Sequence, residues 1–261
     1  MPSPFAPVAP GVLVATSRRM QTTTTLVVHG DRGLLVDPAW LPDELEAIAD
    51  DLTALGIRVT SGLSTHPHHD HLLWHPRFGD GHRWASSRAV EVVREHADEL
   101  RAELTDPFPP GVLRLFGRLE PLPGADAVGD VAEIPDPFST DLTSDPLLAI
   151  THDAHAPGHT ALWAPHRGVL VVGDMLSDVE LPLPATGLDA YLAGLDVLAP
   201  YVGRASVLVP GHGTPTADPG ARLDADRHYL EAVLAGRTPD DPRLANEGMR
   251  DEHARTVAMV G

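Results

Sequence analysis

Short apolar runs dominate the first forty residues and predict β-strands. They lie at residues 12–16, 23–30 and 33–39. Apolar residues then recur every three or four positions, which predicts a helix from about Asp43 to Leu55 with one buried face. That face consists of Leu45, Ile48, Ala49, Leu52 and Leu55. Acidic residues fill the first turn of this helix, and Gly56 suits its end.

The alternation of strands and helices continues along the rest of the chain. Further strands are predicted at 57–65, 82–86, 146–152, 160–165, 168–174 and 205–211, and further helices at 87–104, at 188–199 and from about 220 onward. Residues 105–147 hold many prolines and little periodicity, so we expect an irregular insertion there, with a hairpin around 112–134. Two groups of strands interleaved with helices predict a layered α/β architecture, helices outside, in a single domain spanning 1–261.

Composition narrows the classes of function. The chain has 19 basic and 37 acidic residues, a formal net charge of −18, which disfavours nucleic acid and anionic membranes as partners. The absence of cysteine excludes disulfides, a thiolate nucleophile and thiolate metal ligands. No apolar run approaches the roughly 20 residues of a membrane span, and no signal-peptide pattern is present. We expect a cytoplasmic protein.

Histidine and aspartate recur where predicted strands end. His66 and His68 follow "SGLST", His159 lies beyond "LLAITHDA", Asp174 ends "GVLVVGD", and His212 follows "ASVLVPG". Open α/β sheets build their sites beyond the carboxyl ends of strands, because the loops converge there. The pattern therefore predicts one shared site.

The stretch "THPHHDH" has the spacing of a metal-binding loop. His66 and His68 are two residues apart, so both imidazoles point to one side of an extended segment. Asp70 and His71 follow one turn further on, and Pro67 stiffens the loop. Imidazole and carboxylate ligands suit zinc, iron or manganese.

Other polar residues near these positions have different expected roles. His69 is expected to face solvent or to support the ligands. His152, Asp153 and His155 closely precede His159. One of them is a candidate to hydrogen-bond a metal ligand without binding the metal itself. Thr65 and Thr160 flank ligands and are expected to support the backbone.

The motifs together resemble a known family. His66-Pro67-His68-His69-Asp70-His71 fits the H-x-H-x-D-H signature of metallo-β-lactamase-fold hydrolases, and "APGHT", "VVGD" and "VPGHG" follow in the family's order. The resemblance implies a four-layer αβ/βα sandwich of two mixed sheets, with a two-metal site at one edge. By position, it implies a first metal at His66, His68 and His159, a second at Asp70, His71 and His212, and a bridging Asp174.

The implied chemistry is metal-assisted hydrolysis. Two divalent ions, with Zn²⁺ favoured and iron or manganese as alternatives, would share a hydroxide and polarise the bond that it attacks. Asp70 would also be catalytic, because it would orient that nucleophile. The zinc β-lactamases commonly carry cysteine or serine where Asp174 stands, whereas glyoxalase II and lactonases carry aspartate. We therefore expect a small-molecule ester, thioester or lactone as the substrate.

Two other functions remain open. The same ligand set is compatible with an iron-dependent dioxygenase resembling persulfide dioxygenases, and with a non-catalytic scaffold that binds a metal or a ligand. Substrate choice depends on loops at 72–84, 105–147 and 176–187. The oligomeric state is equally open.

Overall fold

Two mixed β-sheets form the centre of the protein. The computed structural model describes residues 4–135 and 145–260, and within these ranges the sheets have seven and five strands. The first sheet runs in chain order through β1 (Ala6–Ala9), β2 (Val12–Thr16), β3 (Thr23–His29), β4 (Arg32–Val36), β5 (Arg58–Leu63), β6 (His82–Ala85) and β7 (Glu120–Pro121). The first four strands pair antiparallel, and β4 to β7 pair parallel.

The second sheet has the order β12-β11-β10-β9-β8. Its strands are β8 (Val131–Glu133), β9 (Leu148–His152), β10 (His159–Ala164), β11 (Val169–Val171) and β12 (Val207–Val209). The pair of β11 and β12 is parallel and the others are antiparallel. Both sheets are therefore mixed, as the family resemblance implied.

Helices cover the outer face of each sheet. They are α1 (Pro42–Leu55), α2 (Ser87–Glu95), α3 (Ala97–Ala102), α4 (Pro110–Leu115), α5 (Leu188–Val202), α6 (Pro219–Leu234) and α7 (Glu247–Ala258). None of the helices within the described ranges is long and apolar enough to cross a bilayer.

The alternation of side chains between the two faces of each strand explains the layered architecture. On β4, Leu34 and Val36 face the second sheet, and Leu35 packs on the other side with α1. On β10, Leu162 lies in the cluster between the sheets, and Trp163 packs with α5 and α6. Since side chains alternate between the faces of a strand, both faces of each sheet are buried. This arrangement is the predicted four-layer αβ/βα sandwich.

Helix α1 follows its sequence signals closely. Pro42 occupies its first turn, the Glu44 carboxylate accepts a hydrogen bond from Leu41 N at 3.2 Å, and Gly56 ends the helix with φ +69°. Four of the five residues predicted for its inner face are buried; Leu55, in the last turn, is 47% exposed.

Two expectations for the middle of the chain are corrected. The helix predicted at 87–104 is broken at His96, whose φ of −118° and ψ of 22° separate α2 from α3. The hairpin predicted around 112–134 is wrong, because β7 pairs with β6 in the first sheet and β8 pairs with β9 in the second. Part of the predicted insertion, residues 136–144, lies outside the described residues.

Hydrogen bonds between the sheets hold one edge together. Thr23 N donates to Gly211 O at 2.7 Å, which ties the start of β3 to the loop after β12. Thr160 N donates to Thr65 O at 2.8 Å, which ties β10 to the loop after β5. The loops that carry the predicted ligands meet at this edge.

Candidate metal centre

Four side chains from three loops converge to form the first group of ligand atoms. His66 and His68 follow β5, His155 follows β9, and Asp174 follows β11. His68 Nδ1 lies 3.1 Å from His66 Nε2 and 3.0 Å from His155 Nε2. Asp174 Oδ2 lies 3.3 Å from His66 Nε2 and 3.5 Å from His155 Nε2.

The second group contains Asp70, His71 and His212. Asp70 and His71 belong to a single 3₁₀ turn, His69–His71, and His212 follows β12. Asp70 Oδ2 lies 3.3 Å from the Nε2 atoms of both histidines. All three residues are buried.

Asp174 stands between the two groups. Its Oδ1 lies 3.2 Å from His71 Nε2, in the second group. Its Oδ2 faces His66 in the first group and also lies 3.4 Å from His212 Nε2 in the second. The carboxylate therefore lies between the two groups, where the family resemblance implied a bridging residue.

His159 does not join either group in the described part of the chain. It is the first residue of β10 and pairs with His152 on β9, and both side chains are fully buried. His155 lies in the first group, in the place where His159 was expected. It is in the turn beyond the carboxyl end of β9. The rule that ligands follow strand ends would have selected His155, whereas the "GHT" match directed the prediction to His159. Six of the seven predicted residues thus lie in the two groups, which also contain His155, and the ligand role of each residue stays a prediction.

A buried aspartate that sequence reasoning missed supports the ligand loop. Asp37 follows β4, and its Oδ2 lies 2.9 Å from His71 Nδ1. Thr65 donates to the same carboxylate through its backbone N at 2.8 Å and its hydroxyl at 2.6 Å. A carboxylate behind a ligand histidine orients the ring and leaves Nε2 for a metal.

His212 is oriented in a similar way. Its Nδ1 donates to the carbonyl of Met20 at 3.0 Å and lies 3.2 Å from Thr22 Oγ1. Since a carbonyl can only accept, Nδ1 carries the proton and Nε2 points at Asp70 and Asp174.

Burial and charge set the protonation states of the candidate ligands. Burial lowers the pKa of His155 to about 4, so that its imidazole is neutral at pH 7. Burial opposes ionisation of Asp70 and Asp174 as well, but the neighbouring histidines outweigh it and hold the pKa of both carboxyls well below the usual range. His212 is buried too, yet Asp174 and Asp70 raise its pKa to about 11. A metal would displace such a proton on binding.

The spacing of these atoms fits metal ions. Four ligands at about 2.0–2.2 Å from a tetrahedral metal are separated by roughly 3.4 Å, close to the 3.0–3.5 Å found in the first group. Asp174 Oδ1 and His71 Nε2 are buried 3.2 Å apart without hydrogen-bond geometry between them. A cation bound by both atoms would satisfy them better than this contact does.

The remaining candidates lie around this centre. His69 contacts Trp40 edge to face at 5.2 Å, and its Nδ1 lies 3.0 Å from Glu103 Oε2. Asp153 pairs with Arg88 and accepts a hydrogen bond from Gly158 N, so it supports the β9–β10 turn. Glu180, which the sequence did not single out, forms a third group of ligand atoms with Asp174 and His212.

A layered α/β sandwich with a histidine and aspartate cluster at one edge defines a class of metal-binding proteins. The model of the metallo-beta-lactamase superfamily matches residues 17–231, and the chain belongs to this superfamily. The resemblance read from the sequence motifs is thereby confirmed. A comparison with curated proteins gives no match.

Solved structures share the fold. A metallo-beta-lactamase from Erythrobacter litoralis is similar with a TM-score of 0.59 and 21% identity, over 84% of this chain and 94% of that one. A metallo-beta-lactamase family protein from Thermus thermophilus has a TM-score of 0.61 and 22% identity, over 87% and 81%. A stereoselective inverting sec-alkylsulfatase from a Pseudomonas species has a TM-score of 0.64 and 15% identity, over 90% and 42%. At these identities the similarity shows the fold.

Proposed function

We propose that the protein is a dinuclear-metal hydrolase that cleaves an ester, thioester or lactone bond in a small molecule. The observation that carries the proposal is the pair of ligand groups joined by Asp174. The superfamily consists mostly of metal-dependent hydrolases, which agrees with it.

Each group has a stated role in this proposal. The first ion would be held by His66, His68 and His155, with His155 in place of the predicted His159. The second would be held by Asp70, His71 and His212, and Asp174 would serve both. We propose zinc for both ions, with iron or manganese as the alternatives, because the ligands are imidazoles and carboxylates without a thiolate.

In this proposal the metal ions and the protein side chains have separate roles in catalysis. Two bound divalent ions supply Lewis acidity, which lowers the pKa of a water molecule and polarises the bond under attack. Asp70 accepts a hydrogen bond from the attacking water and orients it, since its carboxylate lies at the junction of His71 and His212. His71 and His212 are held in position by Asp37 and by the Met20 carbonyl, so the site is preorganised.

The partner in this proposal is a small molecule rather than a nucleic acid or a membrane, and the compartment is the cytoplasm. The net charge of −18 supports a small-molecule partner, because such a surface repels nucleic acid and anionic membranes.

The test combines metal content with turnover. Protein purified without a metal-affinity column should contain about two equivalents of metal by elemental mass spectrometry, and should hydrolyse a member of an ester, thioester and lactone panel. His68→Ala should lower kcat/KM at least 100-fold, because it removes a ligand of the first ion. His82→Ala is the matched control, because His82 lies on β6 paired with Glu120, outside the ligand groups.

Three results would contradict the proposal. Full metal occupancy with no turnover across the panel would indicate a metal-binding scaffold. One iron per chain with oxygen consumption would indicate the dioxygenase. Unchanged turnover in His68→Ala would show that the metal centre is not required for the reaction.

A further inference from the structure

Glu180 lies in the segment between β11 and α5 and faces the metal centre. The residue is 9% exposed. Its carboxylate oxygen, one oxygen of Asp174 and one nitrogen of His212 all lie within 4.8 Å of one another. Two of the three members of this group belong to the centre already described, so Glu180 adds a carboxylate to its second half.

The backbone around Glu180 is tied to the His212 loop. Ser177 Oγ accepts hydrogen bonds from Val179 N and Glu180 N, both at 3.0 Å. The same hydroxyl donates to the carbonyl of His212 at 2.8 Å. One buried serine therefore sets the position of Glu180 relative to His212.

Arg243 fixes the same segment from the other side. Its Nη1 donates to the carbonyls of Ser177 at 3.0 Å and Glu180 at 2.9 Å. The guanidinium charge is paired with Asp226 at 2.6 Å and Asp241 at 2.8 Å. Arg243 therefore positions the Glu180 backbone while its own charge is balanced by other carboxylates.

The Glu180 carboxylate itself forms no hydrogen bond or ion pair with any residue in the described ranges. Burial, together with the charges of Asp174 and Asp70, raises the pKa of Glu180 to about 7 against the opposing effect of His212. A buried carboxylate is tolerated when it is paired or coordinates a metal. The partner that the geometry offers is a cation beside His212.

We propose that Glu180 is an additional ligand of the second metal ion, which it meets on the side of His212 and Asp174. This inference rests on the metal centre of the proposed function. The second ion would then be surrounded by three carboxylates and two imidazoles. Oxygen-rich ligand sets suit manganese better than nitrogen-rich ones do, so Glu180 would raise the affinity for Mn²⁺ relative to Zn²⁺.

The test measures metal binding directly. Chelator-treated wild-type protein and Glu180→Gln are titrated with Mn²⁺ and, separately, with Zn²⁺ by calorimetry, and bound metal is counted by elemental mass spectrometry. Wild type should bind two ions. Glu180→Gln should bind the first ion normally and the second at least 10-fold more weakly, with a larger loss for Mn²⁺ than for Zn²⁺.

A matched control separates coordination from charge. Glu103 lies beside His69 with its side chain 57% exposed, outside the three ligand groups. Glu103→Gln removes the same charge near the centre and should leave both affinities within 2-fold of wild type. Glu180→Asp keeps a carboxylate, so its second-site affinity should lie between those of wild type and Glu180→Gln. It also provides a second variant if the glutamine variant fails to fold by circular dichroism.

Equal second-site affinity in wild type and Glu180→Gln would overturn the inference. A single bound ion in wild type would overturn it as well. The two proposals fail separately. If wild type binds two ions but hydrolyses nothing in the panel, the proposed function is wrong and Glu180 can still be a ligand. If the protein hydrolyses a substrate and Glu180→Gln keeps both ions at wild-type affinity, only this inference is wrong.

Discussion

His155 and His159 are four residues apart, yet the backbone gives their side chains different surroundings. His155 sits in the turn between β9 and β10, and its Nε2 reaches His68 and Asp174. His159 has entered β10, where its ring packs 4.8 Å from that of His66 and neither ring nitrogen makes a hydrogen bond within the described residues. His155 is therefore a candidate ligand in the first group, and His159 lies beside His66 outside that group.

Substitution of the two histidines tests this distinction. His155→Ala should weaken binding of the first ion by about 100-fold or more, because it removes one of four converging ligands. His159→Ala should weaken it by about 10-fold, the lower end of what loss of a side chain outside the ligand set costs. Competition with a chromophoric zinc chelator measures both. Loss of the ion in His159→Ala with retention in His155→Ala would restore the original assignment.

At the scale of elements, the loops after β11 and β12 approach so closely that glycine is required. Gly211 N donates to Gly173 O at 2.6 Å. A Cβ on Gly211 would overlap Asp174 Oδ1 and lie 2.8 Å from the Gly173 carbonyl carbon. The bridging position of Asp174 therefore depends on the packing of two parallel strand ends.

Gly211→Ala should displace Asp174 and reduce metal content below one equivalent per chain. We expect it to destabilise the protein by about 1–3 kcal/mol, as overpacking typically does. The measurements are elemental mass spectrometry and urea unfolding.

Gly220→Ala is the control for Gly211→Ala. Gly220 lies in the first turn of α6, where the nearest atom to an added Cβ is Asp218 Oδ1 at 3.7 Å. This variant should keep its metal and change stability by less than about 1 kcal/mol. A metal content in Gly211→Ala equal to that of the control would refute the argument from close packing.

For the whole molecule, the candidate metal centre lies where the two sheets meet. Its candidate ligands follow β5 in the first sheet and β9, β11 and β12 in the second. An ion that binds this folded arrangement, and not the unfolded chain, stabilises the entire sandwich.

Removal of metal should therefore lower the melting temperature. Ions present at 100 times their Kd contribute about 2.7 kcal/mol for each site. For a chain of this size, that corresponds to roughly 5–10 °C per site. Thermal unfolding with and without a chelator, followed by re-addition of Zn²⁺ or Mn²⁺, measures the shift. An unchanged melting temperature in protein shown to lose its metal would contradict a stabilising centre between the sheets.

Much of this protein is determined by local patterns along the chain. The apolar run at 12–16 and the helical period at 43–55 specify β2 and α1 almost to the residue. The order of the motifs identified the superfamily, and strand ends indicated where His66, Asp174 and His212 would meet. These features depend on side-chain period and chain order, which are properties of the sequence itself.

Tertiary structure decided which side chains face each other. The register of β9 against β10 buries His159 and leaves His155 in the turn. Asp37 and Glu180 reach the centre because β4 lies beside β5 and because Ser177 ties its loop to His212. The segment after α4 crosses from one sheet to the other instead of forming a hairpin. Such contacts join residues up to about 190 positions apart, as between Thr22 and His212. No local sequence pattern predicts them.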